Sequence, residues 1–519
     1  MRDPANKACH NCRRRRLKCD RDVPACRKCA LTGQECLGYG KLFVWNEGVA
    51  SRGKMMGKTY PVQREPDRTI STGNSGNSLI PQVYDFLPLQ LPLLDPLYQG
   101  LDDTSRGYLS HFASTVSSDM VIADITDVNP FRSLIPFCRD HPILLHIILA
   151  NSALHISCLH RRGLDPEQHM PVLAGEVSTT DAVHRSSRAM IDALSAKQKA
   201  LVLLRRALED MSHIDVDMIA AVVHLFIIFE LISPGEDEWK AHVEGALRLI
   251  SYLHTLEIRH SSPAALVRDC ITSDCLTYYI LGSTLMNTTT LSDPFLLPGD
   301  IIASLTRAEV NSYLSLPTPL LQTLFKACEL SNRVSLGEML GADPTPFLNE
   351  ARDLLNTVQS FNVYAWASTL EGDPSSTRTL SRIHTALAHQ NAVRIYILRS
   401  VEQISPSPVA GVGLGLCESE TEGLVTEIIT HLSLVGLTDP IFKATSWPTF
   451  IAGAETDNVV YREWAVNRLR EFWNLIPWGY LRTEEEIMRK AWRLRDGQPE
   501  KEGSWIQQLK GVERHWLIA

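Results

Sequence analysis

Six cysteines near the amino terminus, spaced as two identical triplets, constrain this chain more than any other feature. Cys9-x2-Cys12-x6-Cys19 is followed by Cys26-x2-Cys29-x6-Cys36, so the second triplet repeats the first 17 residues later. A segment this short cannot bury a core, and its folding energy must come from cross-links or bound metal. No apolar segment follows Met1, which predicts an intracellular protein, where closely spaced cysteines are typical metal ligands.

Two equal triplets predict two equivalent zinc sites. A structural zinc ion takes four ligands, so two ions need eight bonds, and six thiolates supply eight if two of them bridge. Symmetry requires an equivalent bridging pair, which favours Cys9 with Cys26. The ligand sets are then Cys9, Cys12, Cys19 and Cys26 for one ion, and Cys26, Cys29, Cys36 and Cys9 for the other. The alternatives are a one-zinc site with two spare thiols, or a disulfide cluster.

A dense run of positive charge lies between the second and third cysteines. Five of the six residues there are basic, namely Arg13, Arg14, Arg15, Arg16 and Lys18. Such a run is typical of a surface that contacts DNA phosphates and base edges. A solvated charge run or a nuclear-import signal is the simpler alternative, but neither needs side chains fixed by a metal cluster.

The array resembles the fungal binuclear zinc cluster DNA-binding family. The resemblance is carried by the cysteine spacing, the basic run, Asp20 and the segments Val23-Pro24-Ala25-Cys26 and Thr32-Gly33-Gln34-Glu35-Cys36. It implies that the basic loop enters the major groove and reads a CGG triplet. Arg15 and Arg16 would then face bases, and Arg13 and Lys18 would lie nearer the backbone. The family usually has lysine where this chain has Arg16, and arginine is a different hydrogen-bond donor.

Further segments resemble the subgroup of this family that includes acriflavine sensitivity control proteins. They are Leu37-Gly38-Tyr39-Gly40, Phe43-Val44-Trp45, the stretch 49–54, Trp239-Lys240-x-His242-x2-Gly245-Ala246, and Trp447-Pro448-x-Phe450-Ile451-Ala452-Gly453-Ala454 with Arg462 and Trp464. The subgroup resemblance suggests control of drug resistance or of a secondary-metabolite gene cluster.

Composition divides the chain into three parts. We predict a zinc cluster over residues 1–45, a Pro/Gly/Ser-rich linker over 46–100 and an all-α regulatory domain over 101–519. Helical periodicity predicts helices at 105–119, 141–160, 186–211, 215–232, 237–256, 265–285, 318–330, 380–403, 421–435 and 458–474. Polar and ionisable residues within 141–159 and 214–232 indicate buried helices rather than membrane spans.

The helical part shows no catalytic motif. Gly411-x-Gly413-x-Gly415 follows two prolines and fails as a dinucleotide fingerprint. His242 near Trp239 could contact a ligand, but such a pair more often packs in the core, and core packing is our prediction. The acidic residues Glu418, Glu420 and Glu422 could recruit transcription machinery or form a solvated loop. We therefore expect a protein that is not an enzyme.

The functional prediction is a nuclear, zinc-dependent regulator of RNA polymerase II genes that binds double-stranded DNA. Residues 41–100 lack sustained heptads, which predicts a monomer or a dimer formed through the helical domain. The alternative is a zinc-knuckle module that binds protein or RNA. The net charge of the whole chain is −8, but residues 1–64 are basic, with 15 Lys and Arg against five Asp and Glu. This basic segment favours DNA as the partner.

Overall fold

The computed structural model contains two compact units, Met1–Gln90 and Leu91–Ala519. The structure describes residues 8–22, 25–32, 36, 96–122, 124, 129–162, 179–209, 215–233, 239–255, 263–286, 299–310, 313–370, 376–404, 418–497, 504–512 and 516–518. The predicted linker lies outside this set except for 96–100, and the loop Gly411–Gly415 and Cys417 lie outside it as well. The domain boundaries stay predictions.

Helices account for nearly all regular structure in the residues described above, and none of those residues forms a strand. The helices of the first unit are α1 (His10–Arg14) and α2 (Arg27–Leu31). Those of the second are α3 (Pro96–Gly100), α4 (Asp103–His111), α5 (Ser117–Asp119), α6 (Pro142–Arg162), α7 (Thr179–Glu209), α8 (Val216–Ile232), α9 (Trp239–Thr255), α10 (Pro263–Ser283), α11 (Gly299–Ala308), α12 (Thr318–Met339), α13 (Thr345–Ser360), α14 (Val363–Leu370), α15 (Thr377–Val401), α16 (Glu418–Ser433), α17 (Ser446–Glu455), α18 (Val459–Leu475), α19 (Tyr480–Gly497) and α20 (Trp505–Lys510).

Short irregular helices complete the second unit. A π-helical turn, Phe112–Val116, separates α4 from α5, and 3-10 helices lie at Arg132–Arg139, Glu402–Ile404 and Pro440–Thr445. The predicted fold class, a small zinc-cluster module plus a large all-α body, is confirmed.

Helix α8 is almost entirely buried within the described body. Every residue from Met218 to Ile232 is buried, and the Asp215 carboxylate begins the helix by accepting hydrogen bonds from the N–H groups of Asp217 and Met218. Helix α6 packs against it and against α4 and α7. In the described part of the chain α6 alone is long and apolar enough to cross a membrane, and two thirds of its apolar window is buried in the protein.

Helix α7 turns a different face to the core than its leucine pattern suggests. The sequence places Met190, Leu194, Leu201, Leu204 and Leu208 on one apolar stripe, but Leu194, Leu201 and Leu208 are exposed. The buried face carries small residues instead, Ser186, Ala189, Ala193 and Ala200, together with Leu204. Small side chains let α7 approach α6 closely, and Ser186 Oγ exchanges hydrogen bonds with Ser157 at 3.0–3.1 Å.

Helix α15 is the centre of the carboxyl-terminal half. It packs against α12, α13, α14, α16, α17 and α20, and begins with the Ser376 hydroxyl accepting a hydrogen bond from the Thr379 N–H. The acidic stretch predicted as a possible loop is helical, because α16 begins at Glu418. Within it, Glu422 accepts a hydrogen bond from the Thr456 hydroxyl at 3.1 Å.

Candidate metal centre and nucleic-acid interface

The two cysteine triplets fold as near copies of each other. Cys9 caps α1 and Cys26 caps α2, each with its thiol accepting a hydrogen bond from the N–H three residues later, at 3.4 Å in both halves. A short helix follows each cap and ends in a tight turn at Arg15 or Thr32. The sequence repeat is thus a structural repeat, in which equivalent thiols lie at two helix N-termini, where negative charge is favoured.

The six thiols form two overlapping groups of four. One group holds Cys9, Cys12, Cys19 and Cys26, the other holds Cys9, Cys26, Cys29 and Cys36, and the sulfur atoms within each group lie within 4.8 Å of one another. The shared members are Cys9 and Cys26, the pair that symmetry favours as bridges. Their sulfurs are 3.6 Å apart.

The distances between the sulfur atoms are those expected of two ligands that share one zinc ion. Cys9 Sγ lies 3.8 Å from Cys29 Sγ, and Cys12 Sγ lies 3.7 Å from Cys26 Sγ. Two thiolates that share a tetrahedral zinc at about 2.3 Å are roughly 3.8 Å apart, whereas a disulfide requires about 2.0 Å. The cluster therefore fits two zinc ions bridged by cysteines, as predicted, and its cysteines are not joined in disulfides.

Burial explains why this group of thiols needs a cation. It raises the pKa values of Cys9, Cys26 and Cys29, which favours the protonated thiols. Burial also acts on Cys19, but hydrogen bonds from the N–H groups of Cys9 and Arg21 outweigh it and lower the pKa to about 7. Bound metal displaces these protons and supplies the folding energy that so small a unit lacks.

The basic run begins in the last two residues of α1 and continues beyond the end of that helix. Arg13 is in the helix, Arg15 ends it, and the side chains of Arg13, Arg15, Arg16 and Lys18 are exposed. Arg16 has a φ of 53°, in the left-handed region, so the chain reverses within the basic run. Arg14 belongs to the same helix. The cluster thus presents closely spaced cations on a metal-braced turn.

Asp20 joins the two halves, a role that spacing alone does not indicate. Its carboxylate accepts hydrogen bonds from the N–H groups of Arg27 and Lys28, at 2.8 and 3.4 Å, at the first turn of α2. The Arg27 N–H is the main reason that the pKa of Asp20 is lowered. The signal in the sequence is an acidic residue directly after the third cysteine, which the resemblance included without a function.

Two tryptophans and one histidine of the motifs in the helical body serve packing. Trp239 is fully buried at the start of α9, and the ring of His242 stacks on Phe226 at 5.1 Å, as the core interpretation predicted. Trp447 is fully buried in α17 and stacks on His389 at 5.9 Å.

Comparison with known families agrees with both units. The fungal Zn(2)-Cys(6) binuclear cluster domain matches residues 7–43, and the fungal specific transcription factor domain matches residues 107–518. The chain belongs to this family of fungal transcription regulators. Zinc-dependent transcription regulation is thereby assigned to the chain, and the family's function is regulatory rather than catalytic.

Two characterised relatives are similar to the chain. The acriflavine sensitivity control protein acr-2 of Neurospora crassa is 31% identical over 99% of this chain and 97% of its own length. The sterol uptake control protein 2 of Candida albicans is 33% identical over 115 residues, 21% of this chain and 16% of its own length. No solved structure matches the chain.

Proposed function

We propose that the cluster unit binds double-stranded DNA and recognises CGG triplets from the major groove. In this proposal the six cysteines hold the two zinc ions, and Arg15 and Arg16 contact base edges. Arg13 and Lys18 lie nearer the DNA backbone, and Arg14 belongs to the same DNA-binding run. The observation that carries the proposal is the exposed basic turn between two zinc ligands, because arginine can pair bidentately with the O6 and N7 atoms of guanine.

The proposed setting is the nucleus, where the regulator acts on RNA polymerase II genes. Family membership supports it, and the charge division supports contact with DNA. The name of the Neurospora relative refers to control of acriflavine sensitivity. We extend this to control of drug resistance or of a secondary-metabolite gene cluster as the biological role.

The test is quantitative binding of the zinc-loaded full chain to duplexes with and without a CGG triplet. We expect preference for the CGG duplex and a steep loss of affinity with rising salt. Arg16→Ala should cost about 1–3 kcal/mol on the CGG duplex and much less on a scrambled one. Arg27→Ala is the matched control, since it removes an exposed arginine of the second half whose side chain pairs with Asp22 at 2.8 Å.

The result that contradicts the proposal is equal binding to CGG and scrambled duplexes at physiological salt. That outcome would favour the alternative function, a zinc module that binds protein or RNA. Sedimentation of the chain with a single-triplet duplex tests the remaining proposal, that it binds as a monomer or dimerises through the helical domain. A parallel coiled coil mapped to residues 46–100 would refute it.

A further inference from the structure

Two histidines on neighbouring helices face each other at the surface of the helical body. His384 is in the second turn of α15 and His431 is in the last turn of α16. Their Nδ1 atoms are 3.1 Å apart, and the rings are tilted by 31° with centroids separated by 5.3 Å. Both side chains are half-buried, so the pair is held in place by helix packing while solvent still reaches it.

The two Nδ1 atoms lie close enough to bind one cation between them. A neutral imidazole carries one N–H and one lone pair, so two Nδ1 atoms this close hold a single proton between them. Two imidazoles on one tetrahedral zinc at about 2.0–2.1 Å have nitrogens roughly 3.3 Å apart. A shift of a few tenths of an ångström would therefore convert the proton-sharing pair into a pair of metal ligands.

Two features beside the pair carry negative charge. His431 is in the final turn of α16, the end at which carbonyl groups concentrate partial negative charge. Glu427 lies one turn earlier on the same helix, where it accepts a hydrogen bond from the Asn391 amide of α15 at 2.8 Å. Burial and the neighbouring His384 lower the pKa of His431 below its ordinary value, which favours the neutral ring with a free lone pair, and the charge of Glu427 only partly opposes them.

A second histidine pair shows why this geometry is distinctive. His111 Nε2 lies 2.9 Å from His155 Nδ1, and the other nitrogen of His155 lies 3.4 Å from an Asp119 carboxylate oxygen. The two nitrogens of His155 thus face different partners, and the ring is fully buried. That arrangement places His155 between a histidine and a carboxylate, in the interior of the protein, rather than in a half-exposed pair.

We propose that His384 and His431 form a second metal site, which takes a divalent late first-row cation, such as zinc or nickel. These ions prefer imidazole ligands, and water would complete the coordination. The bound cation would link α15 to α16 near the centre of the carboxyl-terminal half. This site is independent of the thiolate cluster, and the proposal does not rest on DNA binding.

The test is calorimetric titration of the zinc-loaded full chain with Ni²⁺, together with thermal unfolding with and without Ni²⁺. His384→Asn and His431→Asn remove one ligand each and keep a polar side chain. His184→Asn, on the exposed face of α7, is the matched control. We expect one Ni²⁺ event in the wild type and the control, with a Ni²⁺-dependent rise in Tm. Each ligand variant should weaken that event by at least the ~10–100-fold seen when even an outer-shell partner is removed.

Protection from chemical modification tests the site without any variant. Ni²⁺ should slow carbethoxylation of His384 and His431 by diethyl pyrocarbonate, detected by mass spectrometry, and leave His184 unaffected. Identical titrations of the wild type and both ligand variants, or equal modification of the pair with and without Ni²⁺, would overturn the proposal. The pair would then be an ordinary N–H···N hydrogen bond.

Discussion

The contact between Gly282 and Trp239 yields the sharpest stability prediction. Gly282 lies near the end of α10, and a Cβ atom added there would lie 2.1 Å from Cη2 of Trp239 and 2.8 Å from Cζ2. The indole is fully buried at the start of α9, so it cannot swing into solvent to relieve the clash. Even alanine at position 282 therefore forces the two helices apart or the ring out of its position.

The magnitude follows from two opposing effects. Overpacking a well-packed core typically costs about 1–3 kcal/mol, and a 2.1 Å approach to a rigid ring belongs at the upper end. Alanine in a helix gains about 1 kcal/mol over glycine. We therefore expect Gly282→Ala to lower the free energy of unfolding by about 2 kcal/mol, measured by urea denaturation followed by circular dichroism.

A matched control and a double-mutant cycle separate the two effects. Gly245→Ala lies in α9, where no atom lies within 4 Å of the added Cβ, so it should stabilise by about 0.5–1 kcal/mol. In a Trp239→Leu background, Gly282→Ala should lose most of its cost. A neutral or stabilising Gly282→Ala in the wild type, or an unchanged cost without the indole, would refute the packing argument.

Three further predictions concern the metal cluster and the helical body. Cys9→Ser, at a bridging position, should lower the bound zinc of the purified chain from two ions toward none, whereas Cys12→Ser should affect mainly one ion. Zinc content is measured by elemental analysis, and equal contents in the two variants would contradict the bridged arrangement. Asp20→Ala should speed zinc transfer to a chelator, because the N–H groups that its carboxylate holds at α2 lose their acceptor, and an unchanged rate would show that the two halves hold together without it. Burial lowers the pKa of His389 to about 4 from an ordinary value near 6.5, so the unfolded chain gains the proton first as the pH falls. The stability from this group is therefore lost between pH 6.5 and pH 4, and the loss is worth about 3 kcal/mol. His389→Gln should flatten the dependence of urea midpoints on pH over that interval.

The cluster could be predicted almost completely because its order is local. The 17-residue repeat shows which thiols are equivalent, and the symmetry of the two triplets favours Cys9 and Cys26 as the shared pair. The structural role of Asp20 was not predicted, because its hydrogen bonds join separate halves of the unit and no periodicity in the sequence indicates such a contact.

Helices were predictable where one face is polar or where an apolar run is long. α6 and α8 were found on those grounds, with ends within two residues of the predicted ones. α17 was found only as a motif, because all ten of its residues are buried and no polar face produces a period. α13 and α19 were missed although they are amphipathic. The face of α7 that is buried depends on how closely α6 approaches, and the sequence pattern of α7 alone does not contain that information.

Buried charges of the helical body and the cations of the basic run have different surroundings. In the helical body Arg382 is fully buried and donates to the Val310 carbonyl at 2.7 Å and to the Ser315 hydroxyl at 3.0 Å. Glu309 is buried nearby and accepts from the Trp366 indole at 2.9 Å. These buried charges are hydrogen-bonded to internal polar groups, and they link the segments that carry those groups. The hydrogen bonds are needed because an uncompensated buried charge is strongly destabilising. The cations of the basic run are exposed on a turn, where they can exchange water and counterions for phosphate oxygens. This exposure agrees with the proposal that the cluster unit contacts DNA.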